Sequence, residues 1–410
     1  MARLRTASND VLPHEGMAMK HVLIVGAGFA GIKLARELDR DHRFHITLIS
    51  DRRSFEYHAA LYRSVTGRSH LEVEVPLVDI FAGSRVEVVY DQVKKIDAKN
   101  QTVTCQSKER YHYDELVLAL GSVTAYFGIA GLPEFSYGMK SIAEAAELKQ
   151  HLHAELTAGH KPDGHYVVVG GGPTGVELAG ELVSYLKQLR QNHNIRKPFT
   201  VDLVEAAPRI LPALPERFGQ MIHYRLEKLG VRVYTGVAVK GETASELKLP
   251  DGNIDTHTVI WTAGMTNNPL FADHPKLFKL AKGQKVEVDE HLSAAPHVWV
   301  AGDSASTQHA GWAQTALYDG RYLAEVMRSL EDGLPLPTYA PKAPVGAIPV
   351  GPHWCAVNTP RGTQLFGRIG WWGRRWVDFK LFWGLLPARL AWRAWIMGTR
   401  QEESCPHCRH

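Results

Sequence analysis

Cysteine is scarce in this chain, whose 410 residues include only four, at positions 105, 355, 405 and 408. So few cysteines in a chain of this length exclude a disulfide framework and fit a reducing compartment. Long apolar runs are also missing. Because no stretch of about 20 uncharged apolar residues occurs, we expect no helix that spans a bilayer.

Charge of one sign is not in large excess, since the formal net charge is +4. No basic run has the spacing of a nucleic-acid motif, so we expect no nucleic-acid partner. Residues 1–19 lack an apolar core of signal-peptide length and are expected to form a flexible arm. The overall composition, 45% hydrophobic and 22% charged, is that of an ordinary globular enzyme.

The chain does contain two copies of the dinucleotide-binding fingerprint G-x-G-x-x-G, 144 residues apart. The glycines are Gly26, Gly28 and Gly31 in the first copy and Gly170, Gly172 and Gly175 in the second. Each copy stands between an apolar strand and an amphipathic helix, the context that the motif requires. The first glycine permits a tight turn, the second lets the backbone approach a pyrophosphate, and the third packs helix against strand. We therefore expect two bound dinucleotides.

The residue that follows the second strand of each fold indicates how the ribose is recognised. In the second copy, strand 200–204 is followed by Glu205, whose carboxylate can accept a hydrogen bond from a ribose 2′-hydroxyl and would repel a 2′-phosphate. This favours NAD over NADP. In the first copy the corresponding strand 45–49 is followed by Ser50 and Asp51, which we expect at the cofactor.

Three further strands end at glycines and fix the order of the parts. They are the runs that stop at Gly121, at Gly264 and at Gly302-Asp303. Their order predicts an α/β protein with two Rossmann-like dinucleotide-binding domains, the second inserted in the first, and a C-terminal amphipathic helical tail. The predicted domains are 20–121 with 266–333, then 122–265, then the tail at 334–410.

Five motifs together resemble the two-dinucleotide-binding-domain flavoproteins: Gly26–Gly31, Tyr113–Gly121, Gly170–Glu177, Val259–Gly264 and Gly302-Asp303. Within that group the phrases Gly-Gly-Gly-Pro-Thr-Gly-Val-Glu at 170–177 and Ile-Trp-Thr-Ala-Gly at 260–264 look most like type II NADH:quinone oxidoreductases. The resemblance covers nearly all of residues 20–330.

The resemblance implies FAD, held non-covalently in the first fold, and NADH in the second, with a hydride passed from nicotinamide to flavin and two electrons passed to a quinone without proton pumping. The residues that would hold FAD are Gly26, Gly28, Phe29, Ala30, Gly31, Ser50, Asp51, Gly121, Gly302 and Asp303. Those that would hold NADH are Gly170, Gly172, Pro173, Thr174, Gly175, Glu205 and Gly264. In some family members' arrangement Lys380 would reach the flavin.

The same resemblance assigns two catalytic residues. Glu177, in the first turn of the second fingerprint helix, resembles a glutamate that lies near nicotinamide and flavin; alternatively its carboxylate is simply favoured by the positive end of that helix. Gln314 resembles the first glutamine of an Ala-Gln-x-Ala-x-Gln pattern at the quinone pocket. The second glutamine of that pattern is Tyr318 here. His58 is either a flavin neighbour or a structural residue.

The tail has an unusual composition: residues 361–400 contain six of the ten tryptophans and eight basic residues, with Asp378 as the single acid. Trp372, Trp376, Phe379, Trp383 and Leu386 share one helical face. We expect this face to lie on the cytoplasmic surface of the cell membrane, or else to pack against the protein or a second subunit as a homodimer. We also expect that deleting residues 368–410 leaves the two nucleotide folds working.

Three alternatives remain open on sequence grounds. Tyr318 in place of glutamine suggests a protein acceptor such as a ferredoxin. Sulfide oxidation would need cysteines on both sides of a flavin, for which Cys105 and Cys355 are a poor match. A redox-responsive binding protein would use the terminal Cys405-x-x-Cys408. Because this pair is only half of a zinc site, we expect no bound metal.

Overall fold

A computed structural model describes residues 19–157 and 164–402. All but the last residue of the predicted arm, and the Cys405-x-x-Cys408 pair, therefore lie outside the described residues. The strands of the described residues are β1 Lys20–Val25, β2 Phe44–Ser50, β3 Ser54–Glu56, β4 Glu74–Pro76, β5 Glu87–Tyr90, β6 Val93–Asp97, β7 Thr102–Cys105, β8 Arg110–His112, β9 Glu115–Leu118, β10 Ser122–Thr124, β11 His165–Val169, β12 Thr200–Glu205, β13 Val231–Thr235, β14 Gly241–Thr243, β15 Glu246–Leu249, β16 Gly252–Asp255, β17 Thr258–Trp261, β18 Met265–Asn267, β19 Ser293–Ala295, β20 Val298–Val300, β21 Gly346–Pro349, β22 Cys355–Asn358 and β23 Gln364–Leu365. The α-helices are α1 Phe29–Leu38, α2 Leu61–Val65, α3 Leu77–Ile80, α4 Leu132–Phe135, α5 Ile142–Thr157, α6 Pro173–Asn192, α7 Glu216–Leu229, α8 Pro269–Ala272, α9 Ala313–Glu331, α10 Arg368–Leu385 and α11 Ala388–Met397.

The first sheet has the strand order β19-β20-β9-β1-β2-β5. Strand β1 pairs in parallel with β2 and with β9, and β20 extends the sheet in parallel beyond β9. The four residues from Val22 to Val25 are all buried, as expected of a parallel strand that is covered on both faces. Helices α1 and α9 pack together. This sheet takes its strands from both ends of the region 20–300.

The second sheet, of order β13-β12-β11-β17, is parallel throughout and comes from the intervening residues 165–261. The short strands β10 and β18 pair antiparallel, Ser122 with Asn267, where the chain passes between the two sheets. The predicted fold class, two Rossmann-like folds with the second inserted in the first, is confirmed. The boundaries assigned to the domains stay predictions.

The tail continues the structure beyond the two sheets. Strands β21, β22 and β23 form an antiparallel sheet, and helices α10 and α11 follow it and pack against each other. Among the described residues, none of the helices is long and apolar enough to cross a bilayer.

Helix α10 carries its tryptophans on the outside. Trp372, Trp376 and Trp383 are each more than half exposed, and so is Trp392 of the neighbouring α11. We call these four residues the aromatic face. Four exposed cations, Arg368, Lys380, Arg389 and Arg393, lie on the same two helices.

The opposite side of α10 is charged and buried. Arg374, Arg375 and Asp378 are 6%, 3% and 0% exposed. They meet two buried residues of the first fold: Arg63 lies 3.2 Å from Asp378 and 2.5 Å from Glu72, and Arg375 lies 3.4 Å from Glu72. We call these five residues the buried ion cluster. The inward side of helix α10 thus carries these ion pairs together with the buried apolar side chains of Leu381, Phe382 and Leu385, and the outward side carries aromatic rings.

The buried ion cluster argues against the expectation that the two nucleotide folds keep working when residues 368–410 are deleted. Deleting residues 368–410 would take the α10 partners away from Arg63 and Glu72 and would uncover apolar groups of the first fold, such as the Tyr57 ring that packs on Phe382. Loss of one buried aromatic side chain such as Phe382 already costs about 3–5 kcal/mol. We predict that the truncated protein loses cooperative thermal unfolding and does not retain bound cofactor.

The control for this deletion is removal of residues 403–410 alone, which takes away no member of the buried ion cluster. Thermal unfolding followed by circular dichroism compares the two. A protein lacking 368–410 that unfolds at the temperature of the full chain would contradict the structural role of the tail.

Candidate active site

The first fingerprint turn shows a different packing requirement at each glycine. Gly26 has a φ of +108°, and a Cβ there would lie 2.3 Å from the Ala119 carbonyl oxygen. A Cβ on Gly31 would lie 1.9 Å from the Gly26 carbonyl oxygen, so helix α1 sits directly on the turn. A Cβ on Gly28 would have nothing within 4 Å. The open position is the one at which a pyrophosphate would approach the backbone.

The second turn repeats this geometry. Gly170 has a φ of +114°, and a Cβ there would lie 2.8 Å from Ala263. A Cβ on Gly175 would lie 1.9 Å from the Gly170 carbonyl oxygen, whereas one on Gly172 would again meet nothing within 4 Å. Two independent turns therefore offer the same open approach at a helix N-terminus, which favours an anion.

Glu205 lies beside the second turn, as the sequence predicts. Its carboxylate accepts hydrogen bonds from the backbone N–H of Gly171 at 2.5 Å and of Ala207 at 2.6 Å. Each oxygen is thus held by one donor and keeps lone pairs for another. The carboxylate is fixed where a ribose hydroxyl could donate to it.

One large cavity, of about 650 Å³, opens from the first turn and is walled by both folds and by the tail. Ten residues predicted to hold the first cofactor were named from the sequence, and nine of them line it. The nine are Gly26, Gly28, Phe29, Ala30, Ser50, Asp51, Gly121, Gly302 and Asp303. The tenth, Gly31, supports the turn from behind.

Within the described residues 165–261, which form the second sheet and its helices, the start of α6 is the part that reaches this cavity. Pro173, Thr174 and Glu177 line it, while the glycines of the second turn and Glu205 lie outside its lining. The N-terminus of α6 therefore faces both the second turn and the cavity of the first fold. This is the place where two dinucleotides bound to the two turns could meet.

Glu177 is the acid at this meeting point. Its side chain is buried, and its carboxylate lies 3.3 Å from the Arg374 guanidinium of α10. Burial raises the pKa of Glu177 to about 7 and outweighs the opposite effect of Arg374 and Arg63. A carboxyl group in this state can hold or release a proton near neutral pH, which the purely structural reading of Glu177 does not require.

Arg374 is a cavity residue that the sequence did not reveal. Its signal is Asp378, the single acid of residues 361–400, which lies four residues further along the same helix. That spacing pairs the two side chains, and their separation is 2.9 Å.

Lys140 is a second cavity residue that the sequence did not reveal. Its ammonium donates to the Ser122 hydroxyl at 3.1 Å, and that hydroxyl is 3.4 Å from the Asp303 carboxylate. The Lys140 backbone precedes α5, whereas Asp303 follows β20. No local pattern connects two positions so far apart in the chain.

His58 also lines the cavity. Although 41% of its side chain is exposed, enclosure by the walls and then the charges of Lys140 and Arg52 lower its pKa. The imidazole is therefore neutral at pH 7. His58 lies 3.6 Å from Glu56, another lining residue that was not predicted.

Gln314 lines the cavity from the first turn of α9, but its amide is committed to the backbone. The amide nitrogen donates to the Val345 carbonyl at 3.0 Å, and the amide oxygen accepts from the Val345 N–H at 3.1 Å. Tyr318 lies off the cavity, with its ring against Tyr322 and Tyr339. The departure at Tyr318 therefore does not alter the cavity wall, and it no longer favours a protein acceptor.

Two further predicted cofactor residues, Gly264 and Lys380, also lie outside the cavity lining. Gly264 is buried against the crossing between the folds, since a Cβ there would lie 2.0 Å from the Ala125 carbonyl oxygen. Lys380 is exposed, with its ammonium 5.3 Å from the centre of the Trp376 ring. The role expected of Lys380 at a flavin has no geometric basis, because this side of α10 points away from the first fold.

Among the described residues, cysteine is absent from the cavity wall. Cys105 is buried in the meander β6-β7-β8, and Cys355 is buried in β22. Burial raises the pKa of the Cys105 thiol to about 11. Sulfide oxidation with cysteines on both sides of a flavin therefore finds no support in the part of the chain described.

The fold and the cavity define a class, a redox protein in which two dinucleotide-binding folds share one site. The sequence profile of the pyridine nucleotide-disulphide oxidoreductase family matches residues 20–320. The type II NADH:quinone oxidoreductase NdhA of Mycobacterium tuberculosis is 31% identical over 339 residues, which are 76% of this chain and 72% of that protein. The type II NADH:quinone oxidoreductase of Staphylococcus haemolyticus is 28% identical over 77% of this chain and 83% of that protein.

A solved structure of NDH2 from Plasmodium falciparum in complex with NADH has the same fold, with a TM-score of 0.84 over 94% of this chain and 99% of that chain at 17% identity. The sulfide:quinone oxidoreductase of Aquifex aeolicus gives a TM-score of 0.76 over 90% of this chain and 93% of that chain at 19% identity. The chain belongs to the pyridine nucleotide-disulphide oxidoreductase family and, within it, to the type II NADH:quinone oxidoreductases.

The two glycines of the first turn provide a matched pair of substitutions. Gly28→Ala places a methyl group in open space and keeps an ordinary backbone conformation, so stability should change by less than about 1 kcal/mol while bound flavin is lost. Gly31→Ala forces a methyl group onto the Gly26 carbonyl and should cost about 1–3 kcal/mol.

Thermal unfolding measures the stability of both variants, and the flavin-to-protein absorbance ratio measures how much flavin each one retains. A Gly28→Ala protein that purifies with a full complement of flavin would show that this turn does not hold the cofactor.

Proposed function

We propose that this protein oxidises NADH through non-covalently bound FAD and reduces a membrane quinone, without pumping protons, at the surface of the cytoplasmic membrane. The observation that carries the proposal is the position of α6: the N-terminal turn of the NADH-side helix forms part of the wall of the first fold's cavity. Membership of the type II NADH:quinone oxidoreductases supports the same reaction.

The cavity fits FAD by the chemistry of its wall. The first turn leaves Gly28 open and places the N-terminus of α1 there for a diphosphate. Asp303 and Lys140 would hold the ribityl side, and Ser50 and Asp51 the adenosine side. When bound, FAD supplies the two-electron chemistry that links a hydride donor to a quinone.

Glu205 selects the nucleotide in the second fold. The two backbone donors that hold its carboxylate fix a negative charge beside the second turn. An unsubstituted ribose can donate to this carboxylate, and a 2′-phosphate is repelled. The substrate is therefore NADH.

Glu177 supplies a proton to the reduced quinone. With a pKa of about 7, it is largely protonated below neutral pH and ionised above it. Glu177 lines the cavity and is only 6% exposed. Because a quinol carries two protons that the quinone lacks, an acid at this site has a direct task.

The aromatic face attaches the protein to the membrane. Tryptophan side chains favour the bilayer interface, and Lys380, Arg389 and Arg393 add positive charge for anionic headgroups. Since the inward side of the same helix carries Arg374, the lipid surface and the cavity lie on two sides of α10. A quinone dissolved in the bilayer is thus close to the site.

Stopped-flow absorbance tests the reaction in two halves. NADH should bleach the bound flavin, and a soluble quinone should restore its absorbance. The second step should slow as pH rises through about 7, because the protonated form of Glu177 is lost. Glu177→Gln should slow quinone-driven reoxidation by about 10²-fold or more and remove its pH dependence, while NADH-driven bleaching stays near the wild-type rate.

A flavin that NADH does not bleach would refute the proposed function. Reoxidation that keeps the wild-type pH profile in Glu177→Gln would leave the function standing and remove Glu177 as the proton donor.

Liposome sedimentation tests the membrane surface. The double variant Trp376→Ser and Trp383→Ser should bind anionic liposomes at least tenfold more weakly, because each exposed tryptophan contributes on the order of 1–3 kcal/mol on burial. Its cofactor content and melting temperature should stay unchanged.

The matched control is Tyr224→Ser, which removes an exposed aromatic ring from α7. If the wild-type protein stays in the supernatant at low and high salt and sediments in ultracentrifugation as a dimer that the double variant does not form, the aromatic face is a subunit interface.

A further inference from the structure

Glu177 touches one cation, Arg374, and that guanidinium has little freedom of its own. It donates to the Asp378 carboxylate at 2.9 Å, to the Ala347 carbonyl at 2.6 Å and to the Ala59 carbonyl at 2.7 Å. The contact with Glu177, at 3.3 Å, is the longest of the four. The direction in which the guanidinium points is therefore set by its other three partners, of which only Asp378 is charged.

Asp378 is itself held on several sides. The Tyr57 hydroxyl donates to it at 2.8 Å, Arg63 donates at 3.2 Å, and Arg375 lies 4.0 Å away. Its side chain is completely buried. Burial disfavours the ionised form, but the charges of Arg374 and Arg63 outweigh this effect and lower the pKa of Asp378. The carboxylate stays negative in a place that water does not reach.

We propose that Asp378 is a positioning residue for the reaction: from the buried side of α10 it fixes the Arg374 guanidinium against Glu177 and offsets the positive charge that Glu177 experiences. The inference rests on the proposed function, in which Glu177 supplies a proton to quinone. It gives the tail a part in the chemistry besides attachment to the membrane.

The charged and titratable groups around Glu177 come from every element packed on it. They are Tyr57, Tyr62 and Arg63 of the first fold, Glu181 on α6 itself, Cys355 of β22, and Arg374 and Asp378 of α10. Arg374 and Arg63 favour the ionised carboxylate of Glu177, and Asp378 opposes it. Without the negative charge of Asp378, the positive charges of Arg374 and Arg63 act on Glu177 with less opposition. The pKa of Glu177 should therefore fall, and the carboxyl should release its proton at lower pH.

The experiment compares the pH profile of quinone-driven flavin reoxidation in the wild-type holoenzyme and in Asp378→Asn. The midpoint of the profile should move to lower pH by about 0.5–1 unit. Bleaching by NADH should keep its wild-type rate, because that step does not use the proton on Glu177. Asp378→Glu retains the charge and should restore the wild-type midpoint. Asp273→Asn removes the same charge from an exposed position and should change nothing.

Tyr57→Phe keeps the test valid if Asp378→Asn fails to fold. This variant removes the hydroxyl that donates to Asp378 and leaves the Asp378 charge in place. Because Asp378 would hold Arg374 less firmly, reoxidation should slow several-fold at an unchanged midpoint pH.

The positioning role of Asp378 and the proposed function can fail separately. An Asp378→Asn protein with a lower melting temperature and the wild-type midpoint would reduce Asp378 to a structural role, as would a Tyr57→Phe protein with the wild-type reoxidation rate. Wild-type flavin that quinone does not reoxidise would instead overturn the proposed function.

Discussion

The contact between Arg374 and Glu177 is the constraint on which the rest of this structure depends. One guanidinium joins the NADH-side helix α6, the loop of the first fold at Ala59, the tail sheet at Ala347 and the helix α10. Without it, the buried Glu177 carboxyl loses the cation that it contacts directly. The two nucleotide folds and the tail are therefore one unit at the site, although they are separate segments of the chain.

The orientation of α10 follows from the same contact. The inward side of α10 carries Arg374, Arg375 and Asp378 beside the buried apolar side chains of Leu381, Phe382 and Leu385. Burying such charged groups adds little net stability even when they are paired, whereas separating them is costly. The outward side keeps Trp372, Trp376 and Trp383 exposed, and the proposed lipid surface would cover them.

The glycines of the two turns and Glu205 could be predicted from the sequence because their roles depend on local chemistry. Gly31 and Gly175 are required by contact with the first glycine of their own turn, and Gly26 and Gly170 have a positive φ that favours glycine; such local requirements leave a pattern in the sequence. Glu205 follows its strand at a fixed distance for the same reason. Lys140 left no pattern, because its partners Ser122 and Asp303 belong to segments that only the folded chain brings together. Lys380 does not line the cavity, because it lies on the exposed side of α10, and the sequence alone does not tell which side of a helix faces the protein.

By itself, the sequence determined the two dinucleotide turns, the insertion of one fold in the other, and the preference for an unphosphorylated ribose. These properties depend on backbone conformation and short-range packing, which a few residue types satisfy. Only the tertiary structure decided which side of α10 is buried, which residues surround Glu177, and that the tail completes the cavity. Helical periodicity identifies two faces, but which one is covered depends on the charges that distant segments present to it, here Arg63, Glu72 and Glu177.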